Sequence, residues 1–446
     1  MRHTVSRLLA VISLLLALLL PAAARTRPRY GGTLHIETRS DPLKPPDGIA
    51  RRLLFDTLTQ VNERGEVVPA LAVSWESQSA NHRWQFRLRS GVHFHDGSPL
   101  TAASVVQSLA QACVRCGWRA RAVAESIIIT SESPISDLPA ELARSVYAIT
   151  REDADGNPDG TGPFRFVANS NGILFLSANE ESWQGRPFLD AVEIYENRPV
   201  RAQWLDFSVG KADIVEVPPE LLRGAQQEHM PLAVSERPVD LLALTLSDQQ
   251  VADEPLRESI ALALDRSAIF NVIFQKQGEV TASLLPNALS GYAFLFPVAA
   301  NLPRSRELRG AQSLPLRLSV DTSSPVLQLV AERLALNLRD AGWNVQVVPQ
   351  AANPHAELAL RLVHLEAAEV TAALHEAMQD FGGAAHDAGP DPAALYRAEK
   401  NFLDSHTVVP LLYLPRAYGV SSRVHNLTLG PDGTPIFADA SLEDVK

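Results

Sequence analysis

The stretch WQFRLRSGVHFHDGSPLTAASVV, residues 84–106, joins an alternating strand to a turn and then to a helix start. Trp84, Phe86 and Leu88 alternate with Gln85, Arg87 and Arg89, which puts the apolar residues on one face of a half-buried strand. Gly91 breaks the run, and Val92 and Phe94 then alternate with His93 and His95 as a second short strand. Asp96-Gly97 supplies the turn, because glycine accepts a positive φ and an aspartate bonds its own backbone. Pro99 and Thr101 open a helix over residues 102–109, with Thr101 as its N-cap. His93 and His95 lie on one strand face, as two metal ligands would, but no third ligand accompanies them. They are read as supporting the Asp96-Gly97 turn or meeting solvent.

Outward from this stretch, the chain alternates strand and helix signals. Tyr30-Gly31-Gly32 leads into a strand at residues 33–37, and residues 53–58 read as helical. Residues 68–76, VPALAVSWE, read as a short helix ending near a buried Trp75. Residues 153–162 are rich in Asp, Gly, Asn and Pro, as a surface loop is. Gly160-Thr161-Gly162-Pro163-Phe164 then enters a strand at residues 165–167. A phosphate cradle is disfavoured there, since no helix start and no Lys-Ser/Thr pair follows. Residues 192–195 alternate as another strand.

A second lobe begins near Asp240 with the apolar run at residues 241–246. Glu254-Pro255 starts a helix whose Leu256, Ile260 and Leu264 form one stripe. Leu316, Leu318 and Val320 alternate in a strand, Ser324-Pro325 opens a helix, Gly342 ends it, and Val345 and Val347 continue in a strand. This βαβ unit predicts a parallel pair. A helix carrying Phe402 and Leu403 precedes a final apolar strand at residues 408–413.

These segments, in this order, resemble the family 5 solute-binding proteins, the extracytoplasmic receptors of ABC importers for peptides, nickel and related solutes. The opening stretch resembles the family's "LR-G-V-F-HDG-P-TA-DV" signature. Residues 30–34 resemble "GG-TL", residues 69–76 "P-LA-SWE", and residues 160–164 "GTGP-aromatic". Asn179, Trp183, Gly185, Pro187, Leu189 and Asp190 resemble "N-YW-GKP-LD", with Ser182 and Arg186 standing where the family has Tyr and Lys. Residues 210–219 resemble "G-DI-V-P", Ala261 to Arg266 "A-A-DR", and residues 408–413 the closing "P-IPL-Y" strand.

The resemblance implies an α/β, two-lobed periplasmic-binding-protein fold with a large first lobe, mixed sheets flanked by helices and a hinge. The expected divisions are a signal peptide at 1–24, lobe I at 25–239, lobe II at 240–411, and a return to lobe I at 412–446. It also implies a small solute, most often a peptide or peptide-like molecule, bound between the lobes by a monomer and delivered to an inner-membrane ABC permease. Neither a cofactor nor a bound metal is expected.

Arg2 and Arg7, the apolar residues 8–20, Pro21 and Ala22-Ala23-Ala24 read as a secretory signal cut after Ala24. No cysteine lies there to carry a lipid, so a soluble, periplasmic or otherwise extracytoplasmic protein is expected. Losing Arg2 and Arg7 takes the formal charge from −11 to −13, which argues against nucleic acid as a partner. The two cysteines, Cys113 and Cys116, form a C-x-x-C pair. In an exported protein they are either a local disulfide or two free thiols. Zinc would need a second such pair, and Gly117 removes the haem-attachment pattern.

The departure from the family pattern follows Val363. There the family carries a longer segment with an aromatic residue, and in its peptide receptors an acid binds the ligand's α-ammonium group. This chain has HLEAAEVTAALHEAMQDFGGAAHDAGPDP, shortened and without that aromatic. His364 and Glu366 fall nearest the position, with Glu366 in the acidic role; the alternative is that Glu366 and Glu369 are solvated helix positions. Further ligand candidates are Arg39 and Asp41 after the first strand, Tyr292 in the aromatic connection LSGYAFLFP, and Asp321 at the end of a lobe II strand. A secreted hydrolase is the rival class, but there is no G-x-S-x-G elbow, and His375-Glu376 lacks a zincin's second histidine. A receptor-fold interaction protein that has lost transport is the other alternative.

Overall fold

The computed structural model describes residues 29–44, 48–113, 116–312, 314–383 and 389–443. The expected signal segment, residues 1–24, lies outside the described residues. Among those residues, no helix is long and apolar enough to cross a membrane.

Three sheets organise the chain. The first has seven strands in the spatial order Phe164–Ser170, Ile173–Ala178, Ala191–Tyr195, Thr33–Glu37, Ile214–Glu216, Ala417–Val420 and Leu232–Val234. Thr33–Glu37 is central and parallel to both its neighbours, with Leu34 and Ile36 fully buried on one face and His35 half-buried on the other.

The second is an antiparallel sheet of Ala72–Gln78, Arg83–Leu88, Ser126–Ser131 and Trp118–Val123. It holds the strand of the opening stretch. Trp84, Phe86 and Leu88 point into one core while Arg87 is exposed, and burying Phe86 contributes about 1.5–3 kcal/mol. Helix Ala102–Ala112 lays Val105 and Leu109 on the same core. Its N-terminus is a reciprocal cap: the Ser104 N–H donates to Thr101 Oγ1 at 3.1 Å, and the Thr101 N–H donates to Ser104 Oγ at 3.0 Å. Cys113, at the helix end, is joined to Cys116 by a disulfide.

Three local expectations differ from the structure: residues 53–58 are not one helix, since the helix is Arg51–Leu54 and Phe55 already turns extended toward strand Thr59–Val61. Residues 72–78 form a strand paired with Arg83–Leu88, not a helix, and Trp75 is only half-buried. Cross-strand pairing decides the conformation where local propensity is weak. Residues 92–94 do not make a regular strand. A single bridge between His93 and Pro99 closes the turn, and Val92 and Phe94 are buried nonetheless.

The third sheet has six strands, in the order Glu279–Val280, Val408–Leu414, Asp240–Leu246, Leu358–His364, Pro315–Val320 and Asn344–Pro349. Pro315–Val320 and Asn344–Pro349 pair in parallel across helix Pro325–Asp340, which buries Val330, Leu334 and Leu338. Val408–Leu414 is buried throughout. It tolerates Pro410, which has no N–H to donate, at a register shift opposite Leu242 and Ala243.

Among the described residues, the chain passes between the first and third sheets only twice, at residues 235–239 and at Pro415-Arg416. These crossings are bonded to each other. The Ser235 N–H donates to Arg416 O at 2.8 Å and the Val239 N–H to Leu414 O at 3.0 Å. Two short adjacent connections, neither of them in a regular strand, link two separately cored sheets and form a hinge.

Candidate functional site

Between the first and third sheets lies a cavity of about 290 Å³. The lobe I side supplies Arg51, Arg52, Asp56, Arg144, Ser145 and the turn around Asp432; the lobe II side supplies Glu366 and Ala367. Two smaller spaces extend the same cleft. One of about 140 Å³ lies toward the hinge beside Arg39, Glu216, Asp240 and Arg416, and one of about 170 Å³ lies between Asp137 and His375.

The glycine motif at residues 160–164 sets the position of the arginines. The Gly162 N–H donates to Leu54 O, 3.0 Å, at the end of helix Arg51–Leu54. A Cβ on Gly160 would lie 2.1 Å from Leu54 O, so only glycine permits this approach. His95 fastens the same loop rather than the Asp96-Gly97 turn. The Gly160 N–H donates to its Nδ1 at 3.3 Å, leaving the ring proton on Nε2 to reach Gly162 O at 3.1 Å. Burial lowers the pKa of this histidine, which suits a neutral ring in that double role. Asp56 is held by Thr161 Oγ1 and Trp183 Nε1, each at 2.8 Å.

A chain of charges runs from lobe I through the hinge to lobe II. Arg52 pairs with Asp432, whose carboxylate lies 3.9 Å from His364 Nε2, an ion-pair separation without a hydrogen bond. His364 Nδ1 is 2.8 Å from Asp240 Oδ1, and Arg416 reaches the same carboxylate at 3.0 Å. Burial and Arg416 push the His364 pKa down, but Asp240 and Asp432 outweigh them and hold it up at about 9. Burial raises the Asp240 pKa; Arg416 and His364 overcome that and hold it at about 2. The imidazole is therefore charged at neutral pH, sandwiched between two carboxylates from different lobes.

A second network closes the cleft over the cavity. The Ser145 N–H and hydroxyl donate to the two oxygens of Glu366 at 2.5 and 2.7 Å. Behind it, Arg144 Nε lies 3.1 Å from Glu376, which accepts the Ala367 N–H at 2.9 Å. Burial pushes the Glu376 pKa up to about 7 against the pull of Arg144, and the nearby Glu366 adds to the rise. Arg51 donates Nη2 to Ser145 O at 2.9 Å and lies 5.5 Å over the Phe55 ring.

The residues singled out in the sequence fall in different places. Arg39 lines the hinge-side cavity, its Nε 2.9 Å from Glu216. His364 and Glu366 lie in the two networks, and Glu366 is buried in the loop before helix Val370–Asp380. Glu369 caps that helix by accepting the Thr371 and Ala372 N–H groups. Asp41 accepts the Leu43 N–H at 2.9 Å in an exposed turn. Tyr292 packs in a lobe II core against Tyr396 and Phe296. Asp321 is exposed and accepts the Ser323 N–H. Neither Tyr292 nor Asp321 lines the three cleft cavities. Arg51, Arg52, Arg144, Ser145 and Asp432 were not singled out, because no local pattern marks them.

Two cored lobes, two crossings and a polar cleft define the two-lobed periplasmic binding-protein class. The profile for bacterial extracellular solute-binding proteins, family 5 Middle, matches residues 66–115 and 120–388, and the chain belongs to that family. A probable di/tripeptide-binding protein 5 from Pseudomonas aeruginosa is 25% identical over 406 residues, covering 76% of each chain. The oligopeptide-binding protein AppA of Bacillus subtilis is 22% identical over 291 residues, 57% of this chain and 54% of AppA. The chain spans about half, or less, of the length of the first curated relatives it matches. Among solved structures, the periplasmic binding protein DppA of Helicobacter pylori, in complex with the peptide STSA, superposes with a TM-score of 0.79. It is 20% identical, and the match covers 93% of this chain and 99% of that one.

Proposed function

We propose that this chain is an exported receptor of an ABC importer, holding a peptide or peptide-like solute in the interlobe cleft and presenting its closed form to a membrane permease. The observation that carries the reading is the 290 Å³ cavity, walled by both lobes and lined by charged side chains. That volume sits at the small end of the roughly 300–1,000 Å³ typical of ligand pockets, which suits a short peptide. The peptide-binding relatives support the class of solute. The chain works as a monomer outside the cytoplasm, in lobes that divide at the two crossings, with Arg39, His364 and Glu366 contributing to the cleft. Such work needs no reacting side chain: closure strips water from the solute and aligns it, and affinity follows from matched polar groups in a partly apolar cleft.

A thermal-shift screen with di- to tetrapeptides, nickel with histidine, and monosaccharides tests this. Peptides should raise the melting temperature saturably, since a ligand at 100 times its Kd adds about 2.7 kcal/mol to the folded state. A rise with nickel or sugar alone would remove the peptide assignment, and no rise with any probe would contradict the receptor reading.

A further inference from the structure

Three arginines line the central cavity, and they are not equivalent. Arg52 is paired with Asp432 and Arg144 with Glu376. Arg51 has no carboxylate within ion-pair distance among the described residues. Of its five N–H groups, one donates to the Ser145 carbonyl, and its Nε is buried with no acceptor. The acid across the cleft is in the opposite condition. Both oxygens of Glu366 already accept from Ser145, so the chain itself satisfies the carboxylate. A ligand ammonium would have to displace those bonds, whereas a ligand carboxylate in the cavity would take the remaining Nη hydrogens of Arg51, the buried Nε being out of its reach. A guanidinium fork matches a carboxylate in shape as well as charge.

Given the receptor reading above, on which this step rests, we infer that the solute is gripped by its carboxylate through Arg51, and that a free ammonium group is not the recognition handle. The ligand class is therefore carboxylate-bearing and includes peptides whose amino terminus is blocked. Glu366, in the segment after Val363, is the partner of Ser145.

Isothermal titration of the full-length mature chain with trialanine, N-acetyl-trialanine and trialanine amide separates the two handles. Acetylation should change Kd less than about threefold, and amidation should weaken binding roughly tenfold or more, the range expected for losing a charge-assisted contact. In Arg51→Gln the acid and amide should bind within about threefold of each other, and Arg51→Lys should recover part of the preference. If Arg51→Gln does not fold, the comparison of the three probes on the unaltered chain still decides. Binding that survives amidation and is lost on acetylation would overturn the carboxylate handle and leave the peptide receptor standing. Failure of a folded chain to bind any of the three would overturn both.

Discussion

Ser145 and Glu366 lie 221 positions apart in the chain and meet across the cleft, hydroxyl to carboxylate, at 2.7 Å. One belongs to the segment that follows the four-stranded sheet and the other to the loop leaving the central strands of lobe II. Their contact, with the Arg144–Glu376 pair behind it, joins the lobes beside the first crossing, where the Leu365 N–H donates to Val239 O at 3.0 Å and Arg237 Nη2 donates to Ala367 O at 3.2 Å.

Ser145→Ala should loosen that closure while keeping the backbone N–H bond. Losing one donor to a buried carboxylate costs about 1–2 kcal/mol, to be read as a lower midpoint in urea unfolding. An unchanged midpoint would mean the contact is not made in solution.

The His364 pair gives a dependence on pH with a fixed sign. Its pKa is raised from 6.5 to about 9 on folding, so its contribution is fully present below about pH 6.5 and is lost as pH rises through about 9. The full change is on the order of 3 kcal/mol. His364→Gln should remove that part of the slope, measured as unfolding free energy across the alkaline limb. Asp240 acts at the other end: its contribution is present above its ordinary value of 3.8 and is lost as pH falls through about 2.

Glu376 has the opposite displacement from Asp240. Its pKa rises from 4.5 to about 7, so the folded chain keeps this proton longer and stability falls as pH rises across that window. Arg144 restrains the shift, while Glu366 and Asp380 add to it. Glu376→Gln should flatten the decline between those two pH values in a denaturation series.

Gly160→Ala places a methyl group against Leu54 O, where only 2.1 Å is available. Overpacking of this kind costs about 1–3 kcal/mol. Since the loop sets the end of helix Arg51–Leu54, peptide affinity should fall along with the melting temperature. A melting loss with unchanged affinity would separate the loop from the site.

Elements with strong periodicity were legible in the sequence. Trp84, Phe86 and Leu88 gave the strand face, Thr101 the cap, and Ser324 with Gly342 the bounds of the lobe II helix. Residues 72–78 were misread because a partner strand, not local preference, makes them extended. The cleft was legible only in part. His364 and Glu366 stood beside a visible departure from the family pattern, but their partners Asp240, Asp432 and Ser145 are 124, 68 and 221 positions away, and nothing in a linear reading joins them. His95 looked like turn support because its real acceptor, Gly162, is 67 positions further on. Tyr292 drew notice for its aromatic neighbourhood, which folds into a core.

Native mass spectrometry of residues 25–446 with an equimolar mixture of di- and tripeptides tests the central claim most directly. The predicted result is a saturable adduct of one peptide per chain that weakens in Arg51→Gln. A folded chain that forms no peptide adduct, under conditions where a known peptide receptor does, would contradict the assignment of the interlobe cavity as a peptide site.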